Sequence, residues 1–240
     1  MLHKTRGIVL KSTNYSESSV VAQIYTEHFG LQSYLVNGAR KPKAKIRSGF
    51  LQALHPLDMV VTFKDNNGLQ RISEAHQVPP LKTIPYDIVK SSLAIFLNEV
   101  LYKILREQAG DPHLFEYLFH AIQWLDESEK NLANFHLVFL INLSRFLGFY
   151  PVEAAKNYPY FNLEAATFSN QLPEHPYVLQ EPHTSLFRKL MATEFNNSED
   201  IKMSTKDRQI LLEKIIDYYR LHLTNFKEVK SLYILEEIFH

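Results

Sequence analysis

Up to about residue 75 the apolar positions fall in short strand-like runs, two of them alternating with a period of two. Thr5 to Ser12 carries Ile8, Val9 and Leu10. Ser19 to Thr26 sets Val20, Ala22 and Ile24 on one face and Val21, Gln23 and Tyr25 on the other. His28-Phe-Gly30 offers a turn, after which Leu31, Ser33 and Leu35 oppose Gln32, Tyr34 and Val36. Leu51 to Lys64 predicts a longer strand bent or edged by Pro56. Asp65-Asn-Asn-Gly68 predicts a hairpin turn, because Asn and Gly accept positive φ, and Leu69 to Ala75 returns. Five short strands with no helix between them predict a small Greek-key barrel of the OB type.

His76 to Pro85 holds three prolines and reads as a stiff connector. Beyond it the period becomes helical. Leu93, Phe96, Leu97, Val100, Leu101, Ile104 and Leu105 share one face, and Gly110-Asp-Pro112 ends that helix and starts another. Leu114, Tyr117, Leu118, Ala121, Ile122 and Leu125 repeat the pattern. Leu132 to Gly148 is apolar on two faces, which predicts a central helix packed between others. Residues 151–182 lose periodicity and are rich in proline and aromatics. Helical pattern returns at Thr184 to Phe195. It continues from a capping-box-like Ser204-Thr-Lys-Asp207 into Arg208 to Leu223, whose stripe is Leu211, Ile215, Tyr218, Tyr219 and His222, and recurs at Ser231 to Phe239. The predicted fold class is α+β and multidomain. An OB-type barrel spans residues 1–80, and a helical domain with an irregular insert near 151–182 spans 81–240.

Composition narrows the chemistry. The 240 residues are 45% hydrophobic and 22% charged, ordinary for a globular protein, so disordered and fibrous classes are excluded. No apolar run approaches the ~18 residues of a membrane span, and no signal-peptide core follows the N-terminus, so a cytoplasmic protein is expected. With no cysteine there is neither a disulfide framework nor a thiolate nucleophile nor a cysteine zinc site. Seven glycines build no phosphate loop. No nucleophile elbow or His-Glu-x-x-His occurs. His175 and His183, with Glu174 and Glu181, offer at most a loose metal spacing, read as solvated loop residues. Asp126-Glu-Ser-Glu129 reads as an exposed helix end. No cofactor, metal or small-molecule substrate is expected.

The net charge of zero conceals an asymmetry. Residues 1–80 hold ten basic and five acidic side chains, a net of +5, and the remainder carries −5. The excess concentrates in Gly38 to Arg47, where Arg40, Lys41, Lys43, Lys45 and Arg47 stand with no acid. Between two strands, and containing Pro42, this run reads as an extended, mobile arm that follows a phosphate backbone and gives salt-dependent affinity. Lys11 and the interleaved aromatics Tyr15, Tyr25 and Tyr34 suit backbone tracking and base stacking.

The residues also resemble a family. Thr5-Arg-Gly-Ile-Val-Leu10, Tyr15-Ser-Glu17, Tyr25-Thr-Glu-His-Phe-Gly30 and Gly38-Ala-Arg-Lys41 are similar to the opening of the RecO family of bacterial recombination mediators. Leu51-Gln52, Ile72-Ser-Glu74, Phe146-Leu-Gly-Phe-Tyr-Pro151, Phe161 to Phe168 and Lys230-Ser-Leu232 continue the resemblance over nearly the whole chain. Two departures stand out. The four zinc-finger-like cysteines that many members carry after the Leu-Gly-Tyr-x-Pro segment are missing, so Tyr158, Tyr160, Phe161 and Phe168 must hold that region. Ala166 stands where the family hairpin often has Gly. The resemblance implies a non-enzymatic bacterial, nucleoid-associated protein that binds single- and double-stranded DNA and anneals complementary strands. It implies RecR and the acidic C-terminal tail of single-strand binding protein as partners, and a role in loading RecA. Arg145, the only cation in the apolar third helix, with Phe146 and Phe149 nearby, is the candidate receptor for that tail's carboxylate. The reading from another class is a protein-interaction adaptor whose barrel binds a protein. A third is a hydrolase with its site in the irregular region.

Overall fold

The structure is a computed structural model that describes residues 1–64, 68–107, 109–152 and 157–239. The expected turn at Asp65 to Gly68 therefore lies largely outside the described residues. The chain forms two compact units, Met1–Glu127 and Ser128–His240.

The first unit begins with the expected barrel. Strands β1 (Leu2–Asn14), β2 (Val20–Thr26), β3 (Gly30–Val36), β4 (Pro56–Thr62) and β5 (Gln70–Gln77) close in the order β1-β2-β3-β5-β4. β1 is long enough to serve both sides. Residues 2–8 pair with β4 and residues 7–14 with β2, with a register shift between Val9 and Lys11 that bends the strand. Closure comes from a short parallel pairing of β3 with β5, Tyr34 opposite Gln70 and Leu35 opposite Arg71. Full closure leaves no edge strand to aggregate. The interior is filled by Val9, Val20, Ala22, Ile24, Tyr34, Val36, Leu57, Met59, Val61 and Ala75. Ile8 and Leu10 are equally buried although they alternate with Val9, because the first helix, α1 (Ile88–Ile104), packs against β1. The buried Gln70 amide ties the base of the β4–β5 hairpin, exchanging hydrogen bonds with the Lys64 backbone at 3.0 and 2.8 Å.

Helices α1 and α2 (Pro112–Glu127) belong to this same compact unit. The change from strand to helix falls near residue 80, as the period indicates, but compactness does not break there. Two contacts explain why. Gly110 lies against the β2–β3 turn so closely that an added Cβ would sit 2.5 Å from the His28 carbonyl carbon. Arg6 on β1 forks onto Glu27 at 2.9 and 3.0 Å, donates also to Glu116 on α2, and lies 5.0 and 5.3 Å from the centres of the Phe115 and Phe119 rings. Tyr25, expected to be available for stacking, is fully buried and stacks on Phe115.

The connector is fixed by a buried carboxylate. Asp126, expected at an exposed helix end, is only 4% exposed. Its oxygens accept the amides of Lys82, Thr83 and Ile84, each at 2.8 Å. Lys90, itself buried, donates to the Asp126 carbonyl at 2.8 Å and to the Thr83 hydroxyl at 2.7 Å. Burial pushes the Asp126 carboxyl up, but the amides of Ile84, Lys82 and Thr83 outweigh it and hold it below the ordinary carboxylate range.

The second unit is built around α3 (Phe135–Phe146), buried on nearly every side as its pattern predicts. With it stand α4 (His183–Met191), α5 (Thr205–His222) and α6 (Leu232–Ile238). Ser204 and Asp207 form the expected capping box at the start of α5. The buried Tyr218 and Tyr219 donate to the carbonyls of Phe149 and Leu140. The expected irregular insert contains a three-stranded sheet, β6 (Tyr160–Asn162), β7 (Thr167–Ser169) and β8 (Val178–Leu179), in the order β7-β6-β8. Strands of two or three residues are too short for a period to register. Phe161 packs on Phe168 and Phe187 with ring centres 4.9 and 4.7 Å away. In the β6–β7 turn, Ala166 has φ 55°, a conformation that favours glycine. Among the described residues no helix is long and apolar enough to cross a membrane.

Two stability outcomes follow from these contacts. Asp126→Ala leaves three amides without their acceptor, at about 1–3 kcal/mol each, so urea denaturation near neutral pH should show a loss of at least about 3 kcal/mol. Because the folded-state pKa of Asp126 is depressed, its contribution is complete above the ordinary carboxylate range and is lost as pH falls through the folded value. The difference between wild type and variant should therefore shrink on acidification, and a pH-independent difference contradicts the clamp. Ala166→Gly relieves the left-handed backbone and should stabilise by about 1 kcal/mol. A destabilised glycine variant would contradict that reading of the turn.

Candidate nucleic-acid interface

The basic run lies between β3 and β4, and its geometry is set by alternation. Ala39 and Ile46 are 3% and 7% exposed and join the barrel core, whereas Arg40, Lys41, Lys43, Lys45 and Arg47 all point to solvent. Gly38 takes φ +69° to start a turn closed by the Lys41 amide on the Gly38 carbonyl at 3.0 Å. A second turn follows, Ala44 to Lys41 at 3.1 Å. The Ser48 amide returns to the Ala39 carbonyl at 3.0 Å, and the Arg40 amide reaches the Ser18 carbonyl at 3.2 Å. Leu51 and Leu54 are then fully buried, with the Leu54 amide on the Val9 carbonyl at 2.7 Å. The segment is folded into successive turns and is not the extended arm expected from its composition. Two apolar side chains and a set of backbone bonds pin it to the barrel.

A groove of about 610 Å³ runs beside this loop. Arg40, Lys41 and Arg47 line it together with Phe50, Gln52, His55, Gln77, Pro85 and Tyr86, and among the described residues none of its lining is acidic. His55 is nearly buried, and desolvation lowers its pKa, so it faces the groove as a neutral imidazole at neutral pH. Tyr86 is 87% exposed. The pattern of the sequence does not single out Tyr86, because it adjoins the proline-rich connector, where no period operates. Its position depends on the Asp126 clamp, and its adjacency to Pro85 is the one local signal.

The other expected residues are dispersed. Lys43 and Lys45 stand on the loop outside the groove lining, and Lys45 pairs with Glu74 at 3.2 Å on the exposed surface. Such a surface pair contributes little. Lys11 is elsewhere on β1, its Nζ 5.3 Å from the centre of the Tyr102 ring, which Arg106 also faces. Tyr15 is exposed in the β1–β2 loop. Tyr34 is a correction. It is fully buried in the barrel interior, and burial raises its hydroxyl pKa above the ordinary value, so no base reaches its ring.

In the second unit the three residues grouped around the third helix separate. Arg145 is exposed, with its guanidinium 4.1 Å from the centre of the Tyr150 ring and donating to the Tyr150 hydroxyl at 2.7 Å. Phe146 is half-buried. Phe149 is a second correction, for it is 8% exposed and packs against Tyr218, Tyr219 and His222. A ring committed to α5 in this way does not line a surface site. His175 and His183 make separate contacts, with Glu164 at 3.5 Å and Asp207 at 3.1 Å. Among the described residues no three metal-ligating side chains stand together.

Comparison with known proteins places this geometry in context. Residues 1–80 match the family model for the recombination protein O N-terminal domain, and residues 85–232 match that for its C-terminal domain. The chain is similar to DNA repair protein RecO of Phocaeicola vulgatus and of Bacteroides fragilis. Each is 40% identical, over 240 and 241 residues, with all of both chains covered. It is also similar to DNA repair protein RecO of Flavobacterium psychrophilum, 35% identical over 238 residues and 98% of each chain.

Proposed function

The chain belongs to the recombination protein O family of DNA repair proteins, and from that premise we propose that it acts as a non-enzymatic mediator that binds single- and double-stranded DNA and anneals complementary strands. The observation that carries this reading is the acid-free groove beside the pinned basic loop. Cations held on a fixed scaffold neutralise phosphates at low cost in side-chain and loop order. Annealing needs strands whose charge is neutralised and whose bases stay free to pair, and it needs no proton transfer or nucleophile.

The same reading assigns RecR and the C-terminal tail of single-strand binding protein as partners, with RecA loading as the outcome, in the bacterial cytoplasm on nucleoid DNA. A terminal carboxylate suits a planar, bidentate guanidinium. In the second unit Arg145, exposed on its Tyr150 support, is the group we assign to it. Phe149 takes no part.

The test is a salt titration of binding to labelled single-stranded DNA. Wild-type affinity should fall steeply with salt. Replacing Arg40, Lys41, Lys43, Lys45 and Arg47 together by Ser should weaken binding and flatten the logarithmic slope by roughly 0.7 for each phosphate no longer neutralised. A salt-independent wild type would support the protein adaptor instead. An unchanged slope in the variant would remove the loop from the interface.

A further inference from the structure

We propose that Tyr86 is a stacking platform for unpaired bases, making the groove a site that distinguishes single-stranded from duplex nucleic acid. The inference rests on the nucleic-acid reading of the groove and adds a base-recognition element to it. Phosphate neutralisation alone does not select unpaired bases, because both forms present a charged phosphate backbone and the duplex the denser one. A ring face discriminates, since bases in a duplex are already stacked and paired, whereas a single strand offers them free.

Three observations single out Tyr86. It is 87% exposed, far more than a tyrosine held for packing, and it borders the same groove as Arg40, Lys41 and Arg47. Its backbone is fixed. The Tyr86 amide donates to the Thr83 carbonyl at 2.9 Å, and the Thr83 amide is itself held by the buried Asp126 carboxylate. Ile84, two residues away, is 5% exposed and anchors the segment from below. With the backbone under the ring and under the cations already held, little main-chain ordering is needed when a strand arrives. Pro85 and the half-buried Phe50 extend the apolar surface next to it, and the Gln52 and Gln77 amides supply hydrogen-bonding groups on the same lining. The arrangement fits a strand whose phosphates lie along the loop and whose bases turn toward the connector.

The test compares the full chain with Tyr86→Ala and Tyr86→Phe. Binding to a fluorescein-labelled oligothymidylate and to a labelled duplex is followed by anisotropy across a salt series. Tyr86→Ala should weaken single-strand binding about 5- to 100-fold, the range expected for one base stack. Its salt slope should stay that of wild type, because every phosphate-neutralising cation is retained, and its duplex affinity should change little. Tyr86→Phe should restore single-strand binding. Wild-type single-strand affinity in the alanine variant, or equal loss on both substrates, would overturn the platform while leaving the nucleic-acid reading in place. A wild type that binds neither substrate in a salt-dependent way would overturn both.

Discussion

The first unit depends on a buried carboxylate that accepts three consecutive backbone amides. Asp126, near the end of α2, holds Lys82, Thr83 and Ile84, and the buried Lys90 of α1 closes the arrangement from the other side. An uncompensated carboxylate at 4% exposure would be costly, and here the amide dipoles stabilise it. The result joins the start of α1, the end of α2 and the connector leaving β5. With the contacts of Arg6 and Gly110, which tie the helices to the barrel, the clamp gives the groove residues Pro85 and Tyr86 a definite position.

The basic loop that lines the same groove follows the same logic with apolar anchors in place of a carboxylate. Five cations in eight residues repel one another and would by themselves favour an extended chain. Ala39 and Ile46 resist this by entering the barrel core, and the Ser48–Ala39 bond closes the loop upon itself. The repulsion is thereby held on a fixed surface, where a bound polyanion would relieve it. The net +5 of residues 1–80 is the electrostatic counterpart of the groove's geometry.

Much of the fold is legible in the sequence because its signals are periodic. Alternation, short apolar runs and turn residues together locate the five barrel strands, and helical spacing locates the helices. The failures share a physical cause. Periodicity says that a residue lies on a face, but it does not say whether that face is covered. Tyr34 alternates with Leu35, and either face of β3 could have been the interior. Phe149 follows the third helix beside Arg145 in sequence, yet the turn at Gly148, φ +82°, sends its ring to α5. Asp126 sits in an acidic stretch that resembles any solvated helix end, and its burial depends on amides more than forty residues away. The five basic side chains are legible as exposed, but their anchoring is not, because Ala39 and Ile46 are single apolar residues without a period. Ala166 stands where the resemblance suggests a glycine, and its φ of 55° is a conformation that favours one.

The connector after the barrel is thus a fixed structural element rather than a flexible linker. Native-state hydrogen exchange at the amides of Lys82, Thr83 and Ile84 tests it most directly. If Asp126 clamps them, these three amides exchange slowly, through openings about as rare as those of the barrel strands, and Asp126→Asn accelerates them selectively. Exchange in the wild type as fast as that of an open loop would contradict the account.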